Sequence, residues 1–229
     1  MASRVSLFVT GTDTGVGKTF TITQLLRLLR AAGKSCAGFK PICCGDRHDA
    51  ELLLAASSSG LTIDEINPLW LKTPAAPLTA ARVEEVKIDI DLLLAALRAL
   101  QQCVHYVFVE GVGGWLVPIR ADYFISDLAA EMGFPVLVVA QNRLGCLNHT
   151  MLTVRSIANK GLHCAGIALN SQLGETNVAV ATNAQILEKI ADIPVLTGLT
   201  ENVSQLPADW RRAIESTTIA SMSPGQTQM

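Results

Sequence analysis

The stretch FVTGTDTGVGKTF near the N-terminus combines glycines, hydroxyls and a lysine in the manner of a phosphate-binding loop. Such loops usually place four residues between the first glycine and the Gly-Lys-Ser/Thr triplet, whereas five residues separate Gly11 from Gly17 here. Gly11, Gly15 and Gly17 would let the backbone N–H groups point at phosphate oxygens, and the following helix would add its dipole. Lys18 would neutralise the β- and γ-phosphates, and the Thr19 hydroxyl would ligate magnesium. The residues therefore predict a nucleoside triphosphate site with a wide loop.

Charged residues follow further apolar stretches that have the pattern of strands. Glu110 ends VFVEG and would be the acidic partner of the magnesium. Asp49 opens the helical stretch after KPICCG and could bring a third oxygen. Lys40 follows the second strand and would point to the same edge as Lys18, where two amines suit a substrate anion in addition to the nucleotide. Ordinary interpretations stay open, since Glu110 could cap a turn, Asp49 could be a helix N-terminal charge and Lys40 could be a solvated lysine.

Two further candidates for chemistry are weaker. The adjacent Cys43 and Cys44 would need a base to act as nucleophiles, and His48 is close only in sequence, whereas a general base requires geometry. The sequence therefore disfavours a nucleophilic cysteine. His149, in GCLNHT, stands at the start of a helix, where capping or packing is favoured over binding a ligand.

The elements that must position these residues alternate between strand and helix along the chain. Apolar runs without alternation predict strands buried on both faces of a parallel sheet, with helices on each side. The pattern predicts one α/β domain of the P-loop NTPase type over residues 1–215, a disordered tail over 216–229, and loops over 60–88, where prolines recur. In such sheets ligands bind at the carboxyl ends of the strands. The predicted strands cover 5–10, 36–39, 106–111, 135–140, 164–170 and 194–198, and the predicted helices cover about 18–32, 49–57, 90–102, 147–159 and 179–190.

The composition excludes several classes of partner. The net charge is −2, only 17% of residues are charged, and no run of lysine or arginine occurs, which gives no electrostatic footprint for nucleic acid or an anionic membrane. No apolar run approaches the roughly 20 residues that span a bilayer, and the N-terminus does not have the pattern of a signal peptide. The six cysteines form no CxxC pair. We therefore expect a cytoplasmic protein with reduced thiols and without nucleic-acid or membrane partners.

Six ordered matches, four segments and two single residues, together resemble the dethiobiotin synthetase family over residues 5–198. The wide loop GTDTGVGKT matches the family's GTDTxVGKT, and GFKP, VEGVGG and GCLNHTMLT match its GxKP, VEGxGG and GxxNHxxLT segments. An aspartate after the second strand (Asp49) and an asparagine that ends a later strand (Asn170) complete the ordered set. Several ordered matches across the chain make the resemblance specific, and it explains the spacing of the loop.

The resemblance implies an ATP- and magnesium-dependent cyclo-ligase. Its substrates would be 7,8-diaminopelargonate, carbon dioxide and ATP: one amine becomes a carbamate, ATP phosphorylates it, and the other amine closes the ureido ring of dethiobiotin. Lys18, Lys40 and Thr14 would be catalytic, and Thr19, Asp49 and Glu110 would hold Mg²⁺. The implied ATP-binding residues are Gly15, Val16, Gly17, Lys18, Thr19, Phe20, Asp49, Glu110, Gly111, Val112, Gly113, Asn170 and Ser171.

The resemblance also implies a homodimer with the site at its interface. The substrate would contact Cys44, and its carboxylate would bind the helix N-terminus formed by Gly145, Cys146, Leu147 and Asn148 of the partner subunit. Three positions depart from the family pattern. Cys44 replaces a common serine, and a thiol is the weaker hydrogen-bond partner. Ser171 replaces a frequent aspartate, and GLTEN (198–202) replaces a G-x-[IL]-P segment near the nucleotide.

Other P-loop classes are less consistent with the residues. A ParA/MinD-like ATPase switch would have a lysine near the start of the loop, in a KGGxGKT pattern, and often a basic or amphipathic tail. This loop reads GTDTGVGKT, and the tail STTIASMSPGQTQM has no helical amphipathicity. A related amide-forming enzyme of corrinoid synthesis would need an additional amidotransferase domain. A relative that has lost turnover is disfavoured because both lysines and the magnesium candidates are present.

Overall fold

The computed structural model of the protein describes residues 4–171 and 177–215. The strands in these ranges are β1 (Val5–Gly11), β2 (Cys36–Phe39), β3 (Ile42–Cys44), β4 (Leu69–Leu71), β5 (Tyr106–Gly114), β6 (Pro118–Arg120), β7 (Tyr123–Phe124), β8 (Val136–Gln141), β9 (Cys164–Asn170) and β10 (Val195–Leu196). The helices are α1 (Lys18–Ala31), α2 (His48–Ala56), α3 (Ile63–Ile66), α4 (Pro77–Val83), α5 (Ile90–Cys103), α6 (Ile125–Met132), α7 (Cys146–Asn159), α8 (Val178–Ile190) and α9 (Ala208–Glu215).

A six-stranded sheet forms the centre of the single domain, in the order β10-β9-β8-β1-β5-β2. Every pair in this sheet is parallel. All seven residues of β1 are buried, as the apolar run predicted, because neither face of this central strand meets water. Phe8, Phe39 and Phe108 lie fully inside the core between sheet and helices. The predicted α/β architecture is therefore confirmed.

The helices cover both faces of the sheet because its strand order reverses at β1. From β1 the chain moves to β2 at one edge, then returns through β5 and continues past β1 to β8, β9 and β10. Parallel crossovers are right-handed, so α1 lies on one face, and α5, α6, α7 and α8, which directly precede β5, β8, β9 and β10, lie on the other. Helix α2 packs against α1. The reversal brings the ends of β1, β2, β5, β8 and β9 around one crevice, which is where ligands bind in such folds.

Most predicted elements are confirmed to within two residues, with β5 extending three residues further, to Gly114, and the last strand reduced to Val195–Leu196. The prediction of loops over 60–88 is wrong, because this segment contains α3, β4 and α4. A capping box on Thr62 starts α3, and Pro77 occupies the first turn of α4, where its missing N–H is not needed. The predicted tail, 216–229, lies outside the described residues. Within 4–171 and 177–215, no helix is long and apolar enough to cross a membrane.

Candidate active site

The glycine-rich loop joins β1 to α1 and leaves the start of the helix open. Gly15 and Gly17 have positive φ angles of 71° and 94°, which glycine adopts without the steric cost of a side chain. No side chain caps α1, so its first N–H groups are available for an anion. A Cβ atom on Gly17 would lie 2.4 Å from Asn170 Nδ2, so glycine is required by contact as well as by conformation.

Four side chains from different elements meet beside this loop. Lys40, directly after β2, donates from Nζ to Asp49 Oδ2 in α2 at 2.7 Å and to Glu110 Oε1 in β5. The hydroxyl of Thr19, in the first turn of α1, lies 2.9 Å from Asp49 Oδ1 and 3.0 Å from Glu110 Oε1. Lys40 and Glu110 are buried, with 3% and 0% of their surface exposed. The structure therefore brings together the predicted lysine and the three predicted metal ligands.

Charges of opposite sign set the protonation of this cluster. Burial by itself would lower the pKa of Lys40, but the carboxylates of Glu110 and Asp49 outweigh it and raise that pKa above its usual value. Partial burial would raise the pKa of Asp49, but Lys40 and the Thr19 hydroxyl lower it below its usual value. Burial lowers the pKa of Lys18, and the charge of Lys40 acts in the same direction against the pull of Glu110. The cluster is thus an ion pair in which Lys40 is held as a cation.

The oxygens of Thr19, Asp49 and Glu110 fit a magnesium ion. Hydroxyl and carboxylate oxygens are the hard ligands that Mg²⁺ binds, usually through one or two carboxylates, with phosphate and water completing its shell. Glu110 Oε2 is buried and has no hydrogen-bond partner within the described ranges, so one carboxylate oxygen is left for a cation. Within 4–171 and 177–215, no group of three or more His, Cys, Asp or Glu side chains is arranged to hold a metal by itself. A metal here would also need the Thr19 hydroxyl and oxygens from a ligand.

The segment wrongly predicted as loop holds the Lys40 backbone in place. Lys40 N donates to Ile66 O at 2.8 Å, and the buried amide of Asn67 donates from Nδ2 to Lys40 O at 2.8 Å. Arg47 in turn donates from Nε to Asn67 Oδ1 at 2.8 Å. Sequence reasoning missed these supporting residues. The capping box at Thr62 was the signal that an ordered element follows the second strand.

Three adjoining cavities open at this edge of the sheet. The central one, of about 360 Å³, contains Lys18, Thr19, Lys40, Asp49 and Glu110. A second, of about 550 Å³, lies on the α1 and β9 side, and a third, of about 660 Å³, lies on the α4 and α7 side. The central cavity shares Gly15 and Gly17 with the second cavity and shares Thr14, Cys44, Val112 and Gly113 with the third.

The 550 Å³ cavity is lined by residues that the resemblance implies for ATP binding. Phe20, Asn170 and Ser171 line it together with Val16. Asn170 donates from Nδ2 to Val16 O at 2.9 Å, which ties the end of β9 to the glycine-rich loop. The divergent GLTEN segment lines the same cavity although it lacks the family motif. Its position is maintained by Trp210, which donates from Nε1 to Thr197 O at 2.9 Å and which sequence reasoning did not assign to the site.

The 660 Å³ cavity has mainly apolar walls. Pro74 and Pro77, Trp115 and Leu152 line it, with Thr14 and Cys44 at the border of the central cavity. Burial raises the pKa of the Cys44 thiol to about 11, and Glu84 acts in the same direction, so the thiol is protonated at neutral pH.

Within a single chain, His149 lines a cavity, whereas residues 145–148, which were expected to bind the substrate of a partner subunit, do not. His149 lines the 660 Å³ cavity, and no side chain caps α7, so the interpretation of His149 as a capping residue is wrong. Gly145, Cys146, Leu147 and Asn148 form the start of α7 but line none of the three cavities. Gly111 does not line them either: it lies beneath the site, where a Cβ would meet Ile125 at 3.1 Å.

Fold and site together define a P-loop protein of the NTPase type. A family model described as an AAA domain matches residues 5–207. The ATP-dependent dethiobiotin synthetase BioD of Akkermansia muciniphila is 44% identical over 204 residues, which cover 89% of this chain and 96% of the relative. The protein of that name from Thermodesulfovibrio yellowstonii is 35% identical over 222 residues, 90% of this chain and 92% of the relative. The chain belongs to the ATP-dependent dethiobiotin synthetase family.

A solved structure of another P-loop class shows how widely the fold is shared. The ParA family ATPase from Chlorobium tepidum TLS superposes with a TM-score of 0.52 and 10% identity, over 94% of this chain and 91% of that chain. At this identity the likeness concerns the fold alone. The choice between the two classes therefore depends on the site residues and on the family relatives.

Proposed function

We propose that the protein catalyses the reaction for which its relatives are named, the ATP-dependent synthesis of dethiobiotin, by closing a ureido ring on 7,8-diaminopelargonate and carbon dioxide. The observation that carries the proposal is the sharing of wall residues among the three cavities. A nucleotide with its base in the 550 Å³ cavity would extend its phosphates past Gly15 and Gly17 into the central cavity. A second substrate in the 660 Å³ cavity would meet those phosphates at Thr14 and Cys44.

The apolar third cavity suits the diamine. Its proline, tryptophan and leucine walls match an aliphatic chain, while Thr14 offers a hydroxyl where the chain would enter the central cavity. One amine of the substrate adds to carbon dioxide and forms a carbamate. A carbamate oxygen then attacks the γ-phosphorus of ATP, and ADP leaves. The second amine attacks the carbonyl carbon of the phosphorylated carbamate, the urea forms, and phosphate leaves.

Lys18 and Lys40 bring the two anions together. Carbamate and triphosphate repel one another, and phosphoryl transfer depends on positioning and charge neutralisation rather than on covalent help from the protein. Lys18 is buried beside the loop and donates from Nζ to Asp13 O at 3.2 Å, so its ammonium would act on the phosphates with little exposure to solvent. Lys40 is held by Asp49 and Glu110 in the same central cavity, where it would stabilise the carbamate and the transferring group.

Thr19, Asp49 and Glu110 are the residues that would hold Mg²⁺. The ion would neutralise charge on the phosphate oxygens when it is bound. Lys40 contacts both carboxylates, so these side chains are already gathered and oriented. The unpartnered Oε2 of Glu110 supports this assignment, because a buried carboxylate oxygen otherwise lacks compensation for the loss of water.

We further propose that the protein acts as a homodimer in which Gly145, Cys146, Leu147 and Asn148 complete the partner's site. The start of α7 has no side-chain cap, so its N–H groups are suited to a carboxylate, yet residues 145–148 line none of the three cavities described above. Leu116 and Leu152 are exposed at the rim of the 660 Å³ cavity, and Leu144 is 85% exposed beside the helix start. Mixing Lys40→Gln subunits with Asn148→Asp subunits, whose added carboxylate would repel that of the substrate, should restore part of the activity if the site is shared, and should restore none if each chain acts alone.

A cytoplasmic location fits this reaction. Four of the six cysteines, Cys36, Cys43, Cys146 and Cys164, are buried as thiols. Free thiols are typical of a reducing compartment. ATP is also supplied there.

The experiment that tests the proposed function is phosphate release by the purified protein with MgATP and bicarbonate, with and without 7,8-diaminopelargonate. We expect release that depends on the diamine, together with a product of the mass of dethiobiotin. Hydrolysis that is indifferent to the diamine would contradict the proposal and would favour a ParA/MinD-like ATPase switch, whose fold the protein shares. Lys40→Gln serves as the control. It keeps the proposed ATP-binding residues but removes the lysine that would stabilise the carbamate, so it should form no dethiobiotin.

A further inference from the structure

Asn142 has no assigned role, yet its side chain is at the centre of a buried amide network. It follows the last residue of β8, and only 5% of its surface is exposed. Its Nδ2 donates to Ser171 Oγ at 3.0 Å and to Val180 O at 3.0 Å. Its Oδ1 accepts from Asn183 Nδ2 at 2.9 Å, and Asn183 itself is 3% exposed. Both donor hydrogens of Asn142 and its oxygen are therefore used, so the amide has one well-defined orientation.

The amide network begins where the hydrogen-bonded pairing of β8 with β9 ends. The pairing of β8 with β9 stops at Gln141 and Asn170, and the backbone bond from Asn142 N to Asn170 O at 2.6 Å extends it by one step. Ser171 has left the sheet, so its position depends on side-chain contacts rather than on a ladder. The bond from Asn142 to its hydroxyl supplies such a contact.

These contacts continue into the nucleotide loop. Asn170, which Asn142 holds through the backbone, donates from Nδ2 to Val16 O at 2.9 Å. Gln141, Asn170 and Ser171 all line the 550 Å³ cavity, while Asn142 itself lies behind its wall. A residue that binds no ligand thus determines where two wall residues stand with respect to the glycine-rich loop.

We propose that Asn142 is a positioning residue for nucleotide recognition, whose side chain orients Ser171 on the base side of the site while its backbone N–H holds Asn170. The inference rests on the proposed assignment of the 550 Å³ cavity to the base of ATP. In the proposed site the triphosphate would bind to backbone N–H groups of the loop, Lys18 and Thr19, and none of these is a hydrogen-bond partner of Asn142. Loss of the Asn142 side chain should therefore weaken binding of the base and leave binding of the phosphates unchanged.

The test compares ATP with a ligand that has no base. Dissociation constants of MgATP and magnesium tripolyphosphate are measured by titration calorimetry for the wild type and for Asn142→Ala. We expect about a tenfold weaker affinity for MgATP, the size typical of losing one well-placed polar interaction, and an unchanged affinity for tripolyphosphate. Equal loss for both ligands, or loss for neither, would refute the positioning role, because the first is a general loosening of the loop and the second is no effect.

A buried control and a second variant keep the comparison specific. Ser57→Ala removes a buried hydroxyl that binds Gly38 N at 3.0 Å and Leu53 O at 2.7 Å near β2, at the other edge of the sheet. It should leave both affinities unchanged. A selective loss of ATP affinity in Ser57→Ala would overturn the inference. If Asn142→Ala does not fold, Asn142→Ser replaces it with the same expected selectivity, since a single hydroxyl cannot make all three bonds.

A double-mutant cycle identifies the path of the effect. Ser171→Ala removes the hydroxyl that Asn142 contacts, so the effects of Asn142→Ala and Ser171→Ala on MgATP affinity should be less than additive. Additive effects would contradict the proposed path. In turnover, Asn142→Ala should raise KM for ATP and preserve kcat. Because the binding measurements need no diamine, selective loss of ATP affinity in a protein without synthetase activity would uphold this inference while the proposed function failed.

Discussion

Replacing Lys40 by glutamine removes the cation from the most buried ion pair of the site. Glu110 is fully buried and contacts Lys40, while Asp49 is partly exposed and can be hydrated. Taking away one partner of a buried pair typically costs about 3–5 kcal/mol, because the remaining charge is left uncompensated. The lower end applies here, since Thr19 still lies 3.0 Å from Glu110 Oε1 and can donate to it. We therefore expect Lys40→Gln to lose about 3 kcal/mol of unfolding free energy in the absence of metal.

That loss should be visible in thermal unfolding and should be reduced by magnesium. For a domain of this size about 3 kcal/mol corresponds to a decrease in Tm of about 6–12 °C. In the proposed site, Lys40 and Mg²⁺ would share the carboxylates of Asp49 and Glu110, so the variant should bind Mg²⁺ more tightly than the wild type does. Added MgCl₂ should raise the Tm of Lys40→Gln by more than it raises that of the wild type. Calorimetric unfolding with EDTA and with MgCl₂ measures both effects.

The control variant is Lys160→Gln. Lys160 pairs with Asp127 at a partly exposed position, where an ion pair contributes about 0–1 kcal/mol, so its loss should change Tm little and should not alter the response to Mg²⁺. Lys40→Gln should also form no dethiobiotin while it still binds MgATP. A Tm equal to that of the wild type in EDTA, or an identical response of both proteins to Mg²⁺, would refute the argument that Lys40 compensates Glu110 and shares its oxygens with the metal.

Three further predictions concern single side chains. Gly17→Ala should abolish ATP binding, measured by calorimetry, because φ at Gly17 is 94° and the added Cβ would lie 2.4 Å from Asn170 Nδ2. The control Gly33→Ala, where φ is 71° and nothing lies near the added Cβ, should bind ATP normally. Cys44→Ser should retain turnover, and wild-type Cys44 should react slowly with iodoacetamide at pH 7.5, because burial raises its pKa to about 11; rapid alkylation would contradict this. Partial burial alone would raise the pKa of Asp49, but Lys40 lowers it. The contribution of ionised Asp49 to stability is therefore present above its ordinary pKa of about 3.9 and is lost as pH falls through the lowered pKa. Unfolding of Asp49→Asn should therefore depend less on pH in this acid range than unfolding of the wild type, and parallel curves would contradict the pairing.

The central strands and the residues at their ends could be predicted from sequence because burial on both faces leaves a direct pattern. Strand β1 is mainly apolar, buried at every residue and followed at once by the glycine-rich loop, so the sequence predicted both its extent and its role. Lys40, Asp49 and Glu110 were predicted to converge because parallel strands end at one edge. Their meeting with Thr19 within hydrogen-bonding distance follows from that topology.

Other parts of the site depend on contacts that leave no local pattern. The helices and strand of residues 60–88 are short and interrupted by prolines, so their order comes from tertiary bonds such as that from Asn67 to Lys40 O. GLTEN lacks the family motif, yet it lines the 550 Å³ cavity, where Trp210 holds the preceding Thr197. Asn142 was not singled out either, since a buried asparagine is recognised only from its three partners.

The most direct test of the proposed reaction follows oxygen from carbon dioxide into phosphate. The protein is supplied with MgATP, 7,8-diaminopelargonate and freshly dissolved C¹⁸O₂, and the released phosphate and the organic product are analysed by mass spectrometry at early times. If a carbamate oxygen attacks the γ-phosphorus and leaves with it at ring closure, each phosphate carries one ¹⁸O and the ureido carbonyl retains the other. Phosphate without ¹⁸O, released at the same rate when the diamine is omitted, would show that water attacks ATP and would contradict the proposed function.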